Sequence, residues 1–291
     1  MDFAKRSVIT AKIPVLRDPF VLSENGTYYV YGTGWVCYRA VSGTLDGEWE
    51  SLGQVAVIPE DCEKDCWAPE VHKIDGRYYM FTTYYSARWK HRGCTVLVSD
   101  APEGPFVPHS DGIVTPRDRD AIDGTFYRDR EGCPWMVYVG EWTATDDHIG
   151  RMMADRLSPD LKTLAGEPIE LFRADDAPWA NSFVTDGCFL HRTADGDLLM
   201  LWSNFASDGY CVGIAESESG EVTGPWKQAE TPLFSKDFDG VYDGGHGMIF
   251  RDGTGGMCLA LHSPNDAAMG RPETPVFLPL REENGTLVFD L

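Results

Sequence analysis

Five short motifs place a carboxylate or an imidazole at the opening of a strand-like run: Asp18 in RDPF, Glu70 in WAPEV, Asp123 in IDGTF, Asp186 in TDGCF and His246 in GGHGM. Carboxyls that converge repel one another when ionised, so at least one member of such a set has a raised pKa and keeps its proton at neutral pH. One protonated and one ionised carboxyl facing a shared funnel is the pairing that glycosidic bond cleavage uses. The first protonates the departing oxygen while the second activates water on the opposite face of the sugar. Taken singly, Asp18 before Pro19, Asp123 before Gly124 and Asp186 before Gly187 are ordinary turn formers that bond their own backbone. Their recurrence at corresponding places in the chain is what argues for a site.

Tryptophans accompany these motifs: Trp35, Trp67, Trp89, Trp142, Trp179 and Trp202. Sugar rings offer apolar C–H faces that pack on aromatic rings, and two or three of these side chains, Trp35, Trp67 and Trp142 foremost, are expected to bind substrate while the rest are core. Glu70 is assigned to ligand binding or support rather than to the acid–base pair. Arg271, in GRPET, has two readings: a bond to a sugar hydroxyl or site carboxylate, or plain surface solvation.

The elements that must carry these residues recur. Turns followed by an apolar strand occur at NGTYYVYGTG (25–34), DGRYYMFTTY (75–84), EGCPWMVYVG (131–140), DGDLLMLWSN (195–204) and GTGGMCLALHS (253–263). Asn-Gly and Asp-Gly between apolar runs signal hairpins, because both central residues of the favoured turn need positive φ. Each turn follows one of the opening motifs, and the period of roughly 50–60 residues accommodates about four short strands. Helical periodicity is nearly absent. The expectation is an all-β, five-bladed β-propeller forming a single domain over 1–291, with the blade openings converging on a central channel. A jelly-roll sandwich would leave the regular repeat unexplained.

Composition narrows the partners. The 291 residues include 46 acidic and 25 basic side chains, a formal net charge of −21, which repels a nucleic-acid backbone or an anionic membrane but not a neutral oligosaccharide. The opening MDFAKRSVITAKIPVLRDPF has no signal-like apolar run, and no stretch reaches the ~18 apolar residues of a membrane span, so a cytoplasmic location is expected. Most of the eight cysteines suit reduced, buried thiols. Cys62 and Cys66 stand close enough for a metal or redox pair, yet lack the second Cys/His pair that a zinc site uses.

RDPF, WAPEV with its Asp-Gly hairpin, IDGTFYRD, TDG and the late GGHG, in that order and over nearly the whole chain, resemble glycoside hydrolase family 43, the arabinofuranosidase, xylosidase and arabinanase family. The resemblance implies a five-bladed propeller and single-displacement hydrolysis with inversion. It makes Asp18 the general base, Asp123 the carboxylate that orients the acid and raises its pKa, and Asp186 the general acid. Most of the family carries a glutamate in EGP there, whereas this chain reads TDGC, a side chain one methylene shorter with Cys188 in place of proline. The expected activity is release of α-L-arabinofuranose or β-D-xylose from plant-derived oligosaccharides. Endo-arabinanase action and a non-catalytic carbohydrate-binding propeller are the alternatives. His246 matches a position near the channel floor that implies either a structural Ca2+ or a histidine fixed by local bonds; the chemistry itself requires no cofactor.

Overall fold

The computed structural model describes residues 8–239, 242–265 and 270–290. The first seven residues, part of the opening stretch on which the expected location rests, lie outside the described residues. Strand β1 (Ile9–Thr10) precedes the first blade, which runs β2 (Phe20–Glu24), β3 (Thr27–Gly32), β4 (Val36–Ala40) and β5 (Trp49–Gln54). The second is β6 (Cys62–Ile74), β7 (Arg77–Ser86), β8 (His91–Ser99) and β9 (Val107–Pro108). The third is β10 (Ala121–Arg128), β11 (Pro134–Gly140), β12 (Arg151–Arg156) and β13 (Ile169–Arg173). The fourth is β14 (Asp186–Arg192), β15 (Leu198–Ala206), β16 (Gly209–Ser217) and β17 (Trp226–Gln228), and the fifth is β18 (Gly245–Arg251), β19 (Met257–Ser263) and β20 (Thr274–Glu283). Each blade is an antiparallel meander, and β1 and β21 (Thr286–Phe289) both pair with β20, so the chain's beginning completes its last blade.

The five innermost strands, β2, β6, β10, β14 and β18, touch one another in a closed cycle, which is the five-bladed propeller. Blades pack face to face, so their middle strands are buried on both sides and read as unbroken apolar runs instead of alternating ones: TYYVYG in β3, PWMVYVG in β11 and LLMLW in β15. Four apolar clusters fill the junctions, with Trp35, Tyr31, Phe106 and Phe277 in one and Trp202, Met152 and Leu198 in another. Each such side chain contributes about 1.5–3 kcal/mol by leaving water. The outermost strands β9 and β17 are only 2 and 3 residues long, which limits the exposed edges.

The expected two-residue turns form at Asn25-Gly26 and Asp75-Gly76, all four with positive φ, and a further one forms at Asn284-Gly285. The other three hairpins turn through wider loops, closed in the third blade by Asp129, which accepts the amides of Glu131 and Cys133.

Candidate active site

Each innermost strand has a residue in the left-handed region within it or just before it: Asp18 (φ 54°), Ala68 (42°), Asp123 (53°), Gly187 (47°) and His246 (55°). In four blades the pairing skips across this residue, a bulge between Trp67 and Glu70, Ile122 and Thr125, Asp186 and Phe189, and Gly245 and Met248. These five positions are the true equivalents, and they correct the register read from the sequence. Asp186 stands one residue ahead of the equivalent position, and Glu70 two residues past it.

A bulged amide has lost its ladder partner and must find another acceptor. Ala68 N donates to Thr33 Oγ1 (3.1 Å), Asp123 N to Thr83 Oγ1 (2.9 Å), His246 N to Ser203 Oγ (2.9 Å) and Asp18 N to His262 Nδ1 (3.3 Å), each acceptor reaching over from the preceding blade. At the fourth blade the corresponding residue is Val139, paired with Ile122 as Thr83 is with Trp67, and it has nothing to offer. The Asp123 carboxylate substitutes, with Oδ2 accepting Gly187 N at 3.0 Å. Glycine is needed at 187 for space as well as φ, since a Cβ there would lie 2.7 Å from Cγ of His246.

Asp18, Asp123, Asp186 and His246 thus meet at one place. His246 Nδ1 is 3.4 Å from Asp18 Oδ1 and 3.9 Å from Asp123 Oδ2, and Tyr210 donates its hydroxyl to Asp186 Oδ2 at 2.6 Å. Burial pushes Asp186 well above the usual carboxylate range, reinforced by the charge of Asp123 and the bond between the two carboxyls. Burial also raises Asp123, while the Asp186 bond and the Gly187 amide work against that rise. Asp18 goes the other way: burial opposes its ionisation, and His246, His262, Arg17 and the hydroxyl of Thr33 outweigh it. Of these, His262 is itself pushed down to about 4 by burial and is neutral near pH 7, donating from Nε2 to Asn265 Oδ1, so it contributes no charge there. One protonated and one ionised carboxyl result, as converging acids require.

The other expected site residues divide. Trp67 holds in its blade the place that Asp186 holds in the fourth, with the Arg92 guanidinium 5.4 Å from its ring centre. Arg92 is clamped by both oxygens of Glu141 (2.7 Å each), and Trp142 is the next residue, half-buried, so Trp67 and Trp142 are linked through one ion pair. Trp35, by contrast, is wholly buried in the core against Tyr84 and presents no face to a ligand. Glu70 is buried below the bulge, its carboxylate bonded to Thr125 Oγ1 (2.7 Å) and His72 Nε2 (3.0 Å), which makes it a floor residue and not a substrate contact. Arg271 reaches Thr10 and the Tyr242 ring and touches none of the acids. Tyr210, Thr33 and His262 are site residues that the motifs do not single out; nothing in their local sequence marks them.

Asp123, Asp186 and His246 also bring one ligand atom each within 4.8 Å of one another, a spacing a cation accepts. Ca2+ takes six to eight oxygen ligands, waters included, so an ion held by these three side chains would draw most of its shell from water.

The sequence profile of glycosyl hydrolases family 43 matches residues 10–277. The crystal structure of an endo-arabinase from Bacteroides thetaiotaomicron VPI-5482 superposes with a TM-score of 0.85 at 38% identity, covering 96% of this chain and 98% of that one. A thermostable family-43 glycoside hydrolase superposes at 0.84 with 24% identity, covering 97% and 95%. The extracellular endo-α-(1→5)-L-arabinanase of Thermotoga petrophila is 31% identical over 268 residues, 76% of this chain but 52% of its own, so the chain spans about half the length of that relative. With the profile, the propeller and the paired acids in agreement, the chain belongs to glycosyl hydrolases family 43.

Proposed function

We propose that this chain cleaves internal α-1,5 linkages of arabinan by single displacement with inversion. The 38% identical endo-arabinase, matched over almost the full length of both chains, supports endo action on arabinan, and the 31% identical endo-α-(1→5)-L-arabinanase of Thermotoga petrophila supports the linkage. The observation that carries the mechanism is the opposite protonation of Asp186 and Asp18 within one funnel. Asp186 gives its proton to the departing glycosidic oxygen, Asp18 takes one from the water that attacks the anomeric carbon, and Asp123 fixes the acid by holding the next backbone amide. Trp67 and Trp142 supply aromatic surface on the Arg92–Glu141 side. The aspartate that replaces the family's glutamate is compensated by Tyr210, which pins its carboxyl at 2.6 Å.

The deciding experiment is chromatography of early products from linear α-1,5-arabinan, with NMR of the first anomer released. Mixed arabino-oligosaccharides of inverted configuration are expected. Arabinose alone would favour an exo-acting enzyme, hydrolysis confined to aryl xylosides would favour a xylosidase, and binding without turnover would leave a carbohydrate-binding propeller.

A further inference from the structure

Of the eight cysteines, Cys37, Cys94, Cys188, Cys211 and Cys258 are buried and Cys133 is half-buried; at Cys62 and Cys66, both partly exposed, two sulfurs meet, with Sγ–Sγ 3.7 Å. A regular strand would set residues four apart about 13 Å from each other. Here the start of β6 is doubly irregular, with its pairing to β7 shifting between Cys62 and Lys64 and again between Lys64 and Trp67, and Asp65 adopts φ 61°. The chain is thereby folded back on itself and the two side chains are side by side. Among the described residues no third His, Cys, Asp or Glu ligand joins them, so zinc coordination is not what the pair is built for.

We propose that Cys62 and Cys66 form a thiol–disulfide exchange site that takes low-molecular-weight disulfides of the glutathione class. The Cys66 thiolate attacks one sulfur of the oxidised disulfide, forming a mixed disulfide and releasing one glutathione thiolate. Cys62 then loses its proton and attacks Sγ of Cys66, closing the intramolecular bond and releasing the second glutathione; the two protein thiols are oxidised and one external disulfide is reduced. The order of attack follows from the hydrogen bond between them, which favours the Cys66 thiolate and raises Cys62 correspondingly. Closure needs the sulfurs to move from 3.7 Å to about 2.05 Å, within reach of side-chain rotation at two partly exposed residues. The bond would sit directly behind the funnel wall, because Cys66 precedes Trp67 and its carbonyl accepts the Gly34 amide of the first blade at 2.7 Å.

The test uses the whole chain, equilibrated with excess oxidised glutathione, trapped with N-ethylmaleimide and digested with trypsin. Cleavage after Lys64 separates the two cysteines, so the expected result is peptides 40–64 and 65–73 recovered joined, two hydrogens lighter than their sum, and separated again by dithiothreitol. In Cys62→Ser, Cys66 should instead retain one glutathione. Recovery of both wild-type cysteines as maleimide adducts, or as two separate glutathione adducts, overturns the proposal, and so does an unmodified Cys66 in the variant.

Discussion

Asp186 and Asp18 share one funnel yet hold their protons differently, and each difference traces to identifiable neighbours. In the proposed mechanism, Asp186→Asn removes the proton donor and Asp18→Asn the acceptor. Each should lower kcat on arabinan roughly 10²–10⁴-fold with an unchanged circular dichroism spectrum; a variant that keeps near-full activity has been misassigned. Tyr210 donates to Asp186 and so favours its ionised form. Tyr210→Phe therefore raises the pKa of the acid further, and the alkaline limb of the kcat/KM profile should move to higher pH, where an unmoved limb would separate Tyr210 from the acid. His262 offers a stability test. Its folded pKa of about 4 lies below the unfolded 6.5, so the unfolded chain binds the extra proton as pH falls through that window, and folding loses about 3 kcal/mol between pH 6.5 and 4. Urea unfolding of wild type and His262→Gln at pH 7 and pH 4 should show this extra loss in wild type alone.

The irregular opening of each innermost strand, a bulge in four of the five blades, is the element that turns a repeated fold into a site. It projects one residue per blade from a left-handed backbone and leaves one amide to be capped by the blade before it. Asp123 became a site carboxylate where that cap is missing, opposite Val139. Val139→Thr would supply the missing hydroxyl, compete for Gly187 N and release Asp123 from it. The expected outcome is a drop in kcat of about tenfold or more with little change in Tm, since the shape is kept and the buried hydroxyl finds its partner in Gly187 N; a fall in Tm without a kinetic effect would argue that Asp123 has only a structural role. This level was half legible. The DG and NG dipeptides announced the hairpins, and RDP, IDG and GGHG marked three of the five left-handed positions correctly. The second and fourth blades misled, because WAPEV and TDGC carry their acids two residues after and one residue before the left-handed position, and a bulge shifts register without leaving a signature in residue type.

Across the whole molecule the funnel exists only if the ring of blades stays closed. Closure depends on β1, where Ile9 and Thr10 pair with Phe277 and Val276 while Ala11 and Ile13 pack in the core. Deleting the residues up to Lys12 should expose the edge of β20 and lower Tm by several degrees, at about 2–4 °C per kcal/mol for a chain of this size; an unaltered Tm would mean that the ring closes without β1. Arabinan hydrolysis should fall in parallel, because Asp18 sits between the first blade and His262 of the last.

The chain's own pattern determined the number of blades, the hairpin in each, the identity of Asp18, Asp123, Asp186 and His246 as one constellation, and the strongly acidic balance, since apolar runs, turn residues and charge act through local or additive physics. Only the tertiary structure decided which carboxyl keeps its proton, that Trp35 is core and Glu70 floor, that Tyr210 and His262 belong to the site, and that Cys62 and Cys66 touch. Those outcomes depend on burial and on contacts between blades up to 244 residues apart in sequence, such as that of Asp18 with His262, and no local spacing encodes them.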